Sequence, residues 1–280
     1  MRDARNRKPR LSRSFQDAAV LSSDFAFGSS ITKNRRPSTS FDSRAPARAA
    51  IDYLMHFAGI VVSRAGVLKK LDVEHRGLFM NAKKDFNKEM EDEISKLDGR
   101  KPTLLLHSCC GPCSSAVLER LREHFQVTVL YYNPNIEPEE EYLHRKAEQQ
   151  RLLGMLGGDI GWLECRYDHE AFEIFAPEMA EEPEGGKRCL ACFAMRLKET
   201  AAQAKSHGFE YFTTTLSVSP HKNAENVNRA GEEAGALYGV KYLYADFKKK
   251  NGYLRSLQLS AEYQLYRQNY CGCLYSKAMA

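Results

Sequence analysis

The chain has 280 residues, enough for one good-sized domain plus an extension, and its 43% hydrophobic and 10% aromatic content supports an ordinary packed core. The net charge of +5 is uneven: residues 1–50 carry about +7, so the remainder is slightly acidic and global charge makes no case for nucleic acid. No apolar run of about 20 residues suits a membrane span, so no membrane partner is expected, and no compact apolar stretch near the N-terminus resembles a secretory signal.

Residues 1–50 are rich in Arg and Ser and lack apolar periodicity, which predicts disorder. Their composition also suits an organellar transit peptide; an over-extended start, with Met80 or Met90 beginning a complete domain, is the alternative. The expected location is accordingly cytoplasmic, or organellar if the extension is a transit peptide. Residues 51–79 are apolar enough for a short helix, and residues 81–100 predict a charged helix leading into the domain. This divides the chain into an N-terminal extension over 1–100 and a single α/β catalytic domain over 101–280.

From residue 103 strands and helices alternate. Residues 103–107 form an apolar run of the buried-strand type, followed by a Gly-Pro loop and helical spacing over 114–124. A Val- and Tyr-rich strand is predicted over 126–132. A long amphipathic helix follows over 137–156, with Tyr142, Leu143, Ala147, Leu152 and Leu153 on or near one face. A third strand over 159–167 precedes a short helix at 171–175 and a longer one over 189–205 that Gly208 ends. Residues 210–216 read as a strand, 222–237 as a helix, 241–244 as a strand and 254–263 as a helix. The alternation implies an α/β fold: a parallel sheet with crossover helices, layered like a nucleotide hydrolase. Sites in such sheets form at the carboxyl ends of strands. That places Cys109–Cys113 after the first strand and residues 213–222 after the fourth on the same edge.

Eight cysteines are too few for a disulfide scaffold of this length, and seven are clustered: Cys109, Cys110 and Cys113; Cys189 and Cys192; Cys271 and Cys273. Thiolates bind soft metals, and four form the usual complement of an iron–sulfur cluster. Cys189-x-x-Cys192 presents two sulfurs from one turn at a helix start, where free N–H groups favour thiolates. Spacing alone does not separate zinc from iron–sulfur, although a CxxC…CxxC zinc site leaves Cys271-Gly272-Cys273 unexplained. Cys110-Gly-Pro-Cys113 also fits a thioredoxin-like redox pair, but the chain is far longer than a thioredoxin domain and further cysteines crowd the motif. Cysteines occupy the loop where a nucleotide hydrolase carries its Gly- and Ser-rich phosphate loop, so ATP is not expected.

Five segments in order carry a resemblance: HSCCGPC (107–113), YYNPNI (131–136), RCLACF (188–193), FTTTLSVSPHK (212–222) and YRQNYCGC (266–273). Over about residues 103–277 the chain resembles the epoxyqueuosine reductases of the QueH type. The resemblance implies reductive removal of the epoxide oxygen of epoxyqueuosine in a tRNA anticodon, giving queuosine, without cobalamin. It implies that Cys109, Cys110, Cys189 and Cys192 hold a [4Fe-4S] cluster. Cys271 and Cys273 look like a redox-active disulfide pair, or ligands, with Cys113, of an adjacent mononuclear iron or zinc. Some relatives have Asp at the position of Cys113, which leaves the identity of that second metal open. The implied partners are tRNA carrying epoxyqueuosine and a low-potential electron donor such as ferredoxin or flavodoxin. Two other readings stay open: a zinc-stabilised RNA-binding module, and a thiol-disulfide enzyme.

Lys222, Arg229 and the run Lys248, Lys249 and Lys250 are candidates for phosphate contacts; a lysine run is otherwise a solvated face. His107 is read either as a proton donor or as a hydrogen-bonded core histidine. Tyr131 and Tyr132 are read as core residues or as platforms for a base. Glu139–Glu141 suits an acidic first helical turn, and Cys165 an inert buried strand position.

Overall fold

A computed structural model of the chain describes residues 84–277; the expectations for a disordered tail and for a helix within 51–79 lie outside the described residues. Five parallel strands form one sheet in the order β3-β2-β1-β4-β5. They are β1 (Thr103–His107), β2 (Gln126–Leu130), β3 (Gly161–Leu163), β4 (Tyr211–Thr214) and β5 (Lys241–Tyr242). Leu104 and Leu106 pack into a cluster on one face, and Leu105 into a different cluster on the other. This is the alternation a strand buried on both sides requires, and it explains why β1 reads as a continuous apolar run.

The helix α1 (Phe86–Ser95) starts at Asp85, whose carboxylate accepts from the backbone N–H groups of Asn87 and Lys88 at 3.1 Å. Met90 and Leu97 join the core on the Leu104 face, so this charged segment belongs to the packing of the domain. Helix α2 (Gly111–Leu121) follows β1, and α3 (Glu139–Leu156) follows β2. The short α4 (His169–Glu173) and the long α5 (Lys187–Ser206) lie between β3 and β4, and α6 (Ala224–Tyr238) between β4 and β5. Helices α5 and α6 supply Leu197, Ala201, Val227 and Ala234 to the Leu105 face. A Cβ on Gly231 would fall 2.2 Å from the ring of Tyr242, so glycine lets α6 lie close on β5. Helix α7 (Gly252–Glu262) is tied to α2 by a two-pronged pair of Arg255 with Glu119 at 2.6 and 2.8 Å, and α8 (Leu274–Lys277) closes the described chain.

The first strand has the expected bounds, and the other four are shorter than expected. The third keeps three residues of a predicted nine, because only Gly161–Leu163 pair with β2. In α3 the buried stripe is Tyr142, Arg145, Gln149 and Leu152, while Leu143, expected on that face, is 50% exposed. Among the described residues no helix is long and apolar enough to cross a membrane.

The sheet reverses direction beside β1: the chain runs outward through β2 to β3, then returns to place β4 on the opposite side of β1. Loops leaving β1 and β4 therefore diverge at their carboxyl ends and open a crevice, the usual ligand position in an open α/β sheet.

Candidate metal and redox centre

The crevice is built on the end of β1. His107 is fully buried; its Nδ1 meets the Thr214 hydroxyl at 2.8 Å and its Nε2 the Tyr132 carbonyl at 3.0 Å. A carbonyl only accepts, so Nε2 carries the proton and Nδ1 accepts from Thr214. Burial, with Arg196 adding to it, pulls the His107 pKa down to about 3, so the ring is neutral and joins three strand ends. That decides for the core role over the proton donor. Tyr131 and Tyr132 are likewise buried, at 1% and 6% exposure, and offer no face to a base.

Beyond His107 the chain turns through Ser108, whose hydroxyl donates to Gln149 Oε1 at 2.6 Å, as does that of Ser114. This polar clamp fixes the loop against α3. Cys109, Cys110 and Cys113 then gather their sulfurs within 4.8 Å of one another at the positive end of α2. Cys109 Sγ and Cys110 Sγ are 3.8 Å apart, and Thr215 at the end of β4 donates its hydroxyl to Cys109 Sγ at 3.4 Å. Hydrogen bonds from Cys110 and Cys113 hold the Cys109 thiol well below its ordinary pKa, and Lys222 and Thr215 add to this. The same sharing pushes Cys110 up to about 12 and Cys113 well above its usual range.

The second cysteine group lines a cleft between the start of α5 and the C-terminal segment. Cys189 and Cys192 come from the first turns of α5, and Cys189 Sγ accepts the Gly185 N–H at 3.3 Å. Cys271 and Cys273 enter from the C-terminal segment and line the same cleft. Burial pushes Cys192 up to about 12 despite Arg196, and raises Cys189 as well. The C-terminal segment is held along α3: Glu148 accepts the Tyr266 N–H at 2.9 Å, and Arg145 Nη1 donates to the Cys271 carbonyl at 3.0 Å. Glu137 N–H donates to the Gly272 carbonyl at 3.0 Å and its carboxylate accepts from Leu274 N–H. Glu141, expected as an acidic first-turn residue, also pairs with the buried Arg145 at 2.7 Å.

The expected ligands therefore fall into a trio (Cys109, Cys110, Cys113) and a quartet (Cys189, Cys192, Cys271, Cys273). Cys165 stands apart on the Leu105 face, its pKa pushed up to about 11 by burial. The donor set fits a thiolate-bound metal. Seven soft sulfur donors lie in two groups at this end of the sheet, with backbone N–H and hydroxyl donors aimed at individual sulfurs and the buried guanidinium of Arg196 lining the quartet's cleft.

Arg145, Arg188 and Arg196 are each about 1% exposed and were not foreseen as site residues. The signal was helical spacing: Arg188, Cys192, Arg196 and Thr200 recur every four residues on one buried face of α5. Arg145 lies in the buried stripe of α3 by the same logic.

Among the proposed phosphate contacts, Lys222 lines the cysteine cleft and also a neighbouring groove, in which Arg229, Lys248 and Lys249 join it. Lys248 pairs with Asp246 at 2.7 Å, and Lys250 turns away to pair with Glu91.

A family model described as epoxyqueuosine reductase QueH matches residues 104–279. A protein named epoxyqueuosine reductase QueH from Staphylococcus epidermidis is 40% identical over 204 residues, covering 70% of this chain and 86% of that protein. Its namesake from Streptococcus pyogenes is 38% identical over 205 residues, covering 71% and 80%. A third, from Thermotoga maritima, is 34% identical over 179 residues, covering 62% of this chain and 90% of the relative.

Proposed function

The chain belongs to the epoxyqueuosine reductase QueH family, and from that premise we propose that it deoxygenates epoxyqueuosine in a tRNA anticodon to queuosine, using an iron–sulfur cluster and no cobalamin. It is an oxidoreductase of queuosine biosynthesis. The reaction takes two electrons and two protons, and the epoxide oxygen leaves as water.

The observation that carries this reading is the gathering of Cys109, Cys110 and Cys113 after β1 and of Cys189, Cys192, Cys271 and Cys273 around one cleft. Cys109, Cys110, Cys189 and Cys192 are the proposed cluster ligands. Cys113, Cys271 and Cys273 are proposed to hold an adjacent iron or zinc, with a Cys271–Cys273 redox pair as the other arrangement. When bound, such a centre supplies electrons singly and polarises an oxygen at its open position. The chain's own residues hold the sulfurs in place: Thr215 and the Gly185 N–H bind Cys109 and Cys189, and Arg145 fixes the carbonyl of Cys271. Phe172 and Phe193 close the apolar side of the cleft. The groove carrying Arg229, Lys248 and Lys249 shares Lys222 and Asn223 with the cleft, which supports it as the path by which tRNA reaches the thiols. Electrons come from a low-potential donor of the ferredoxin or flavodoxin class.

The test is anaerobic purification of the full chain, with iron and sulfide counts, a visible spectrum and mass spectrometry of tRNA nucleosides after reaction with a strong reductant. About four irons with sulfide, and conversion of epoxyqueuosine to queuosine, are expected. Colourless protein carrying zinc alone, without turnover, refutes the reading in favour of a metal-stabilised binding module.

A further inference from the structure

Among the described residues three cations at this end of the sheet lack an acidic partner; Arg188 donates to the Met179 and Ala180 carbonyls at 2.7 and 2.9 Å, which leaves Arg196 and Lys222. Arg196 is 1% exposed, and Lys222 is half-buried at the rim of the cysteine cleft. Among the described residues no carboxylate lies within 4.0 Å of either. Arg196 has only weak neutral partners: the Cys192 carbonyl and Asn133 Oδ1, both at 3.4 Å, and the Phe193 ring at 5.9 Å. One of its Nη atoms has no partner at all.

Burying a guanidinium without a counter-charge is strongly unfavourable, and two long hydrogen bonds to neutral oxygens do not offset it. The compensating negative charge must come from the sulfurs. Arg196 and Lys222 line the same cleft as Cys189, Cys192, Cys271 and Cys273, and the charge of Cys109 acts on both.

We propose that Arg196 and Lys222 are the built-in counter-charge of one thiolate-bound metal centre: they join the trio and the quartet into a single electrostatic unit and set its reduction potential. Lys222 then serves the metal centre and not an RNA phosphate. The inference rests on the metal-bound reading above and deepens it. Adding an electron makes a thiolate-ligated centre more negative, and a fixed positive charge nearby stabilises that reduced state. Removing the charge makes the centre harder to reduce.

The experiment uses the full chain, purified anaerobically, as wild type, Lys222→Met, Lys222→Gln and Lys222→Arg. Iron and sulfide are counted, and the midpoint is read from visible absorbance in a mediator-poised titration. At the wild-type midpoint the reduced-to-oxidised ratio should fall about tenfold in the two neutral variants, a shift of about 59 mV for a one-electron couple. Lys222→Arg should keep a midpoint near wild type. Loss of iron from both neutral variants, with Lys222→Arg still loaded, supports the counter-charge role, because charge alone separates them. Unchanged midpoints with weaker, less salt-dependent tRNA binding overturn the proposal and return Lys222 to RNA contact. Loss of iron from all three variants also overturns it, since the retained charge did not suffice. Wild-type protein without iron or sulfide is a different failure, that of the metal reading itself.

Discussion

Gly272 offers a sharp test of how the C-terminal cysteines are positioned. It lies between Cys271 and Cys273 at φ +136°, a conformation that L side chains rarely adopt. A Cβ there would stand 2.7 Å from Ile136 Cγ1, and 3.3 Å from both an Arg145 Nη and the Asn135 side-chain nitrogen. Gly272→Ala therefore combines backbone strain of about 1–3 kcal/mol with an overpacking cost of about 1–3 kcal/mol. Ile136 is 1% exposed and the Arg145 guanidinium is already bonded to Glu141 and to the Cys271 carbonyl, so neither neighbour has room to yield. For a domain of this size the loss should lower the melting temperature by roughly 5–15 °C. Thermal unfolding of anaerobic protein, followed by circular dichroism, reads that shift. Relief of the clash would swing the turn and carry both flanking sulfurs with it, so turnover measured well below the new melting temperature should also collapse. A melting temperature within about 2 °C of wild type, with unaltered turnover, would refute the view that this turn is rigidly specified.

Three further outcomes follow from the same geometry. Arg145→Met strands Glu141 at a site where the pair is nearly buried and frees the Cys271 carbonyl; a loss of about 3 kcal/mol is expected in urea unfolding, with Arg145→Lys recovering only part of it. His107 has its pKa depressed to about 3, so the unfolded chain takes up a proton below about pH 6.5 while the native ring does not. Its contribution is thus complete above pH 6.5 and falls by about 1.4 kcal/mol per unit as pH drops towards 3. His107→Gln should flatten that part of the stability profile, and an unchanged slope would count against the neutral buried ring. For RNA, Arg229→Ala and Lys249→Ala should each reduce the salt dependence of tRNA binding by about 0.7–0.9 in log–log slope. Lys250→Ala, whose ammonium is engaged by Glu91, should leave it unchanged.

Period and punctuation made the sheet legible. The apolar run at Thr103–His107, the Gly-Pro loop and the alternating helices lead directly to a parallel sheet with cysteines at its carboxyl edge. The third strand was over-read because Glu164–Tyr167 has strand composition but no neighbour to pair with beyond Leu163. Polar residues in helical stripes were the larger miss. Leu143 outranks Arg145 on hydrophobicity, yet Arg145 is the buried one, because its guanidinium finds Glu141, the Cys271 carbonyl and the Tyr270 ring. A one-dimensional pattern weighs a side chain by its transfer free energy and has no access to partners that lie 126 residues away. The same blindness left Arg196 out of the site.

The distribution of unpartnered polar atoms links stability to function. Among the described residues, the buried side-chain atoms without a hydrogen-bond partner belong to Tyr131, Asn135, Arg145, Gln149, Arg188, Arg196 and Gln268. Most of these residues lie at the thiol end of the sheet: Arg188 and Arg196 line the cleft, Asn135 and Arg145 flank Gly272, and Gln149 clamps Ser108 and Ser114. Each such atom costs about 1–3 kcal/mol if left unsatisfied. A domain that concentrates them at one end gains from whatever occupies that end. Loading the metal centre should therefore stabilise the fold, by about 4 kcal/mol when the metal is present at a thousandfold its dissociation constant. Denaturant midpoints of metal-free and reconstituted protein, compared anaerobically, measure the difference; coincident midpoints would mean that the thiol end is self-sufficient. If the gain is found, substitutions at Arg196 or Arg145 lower metal content and fold stability together. Their effect on turnover then has to be expressed per loaded centre before any catalytic role is assigned to them.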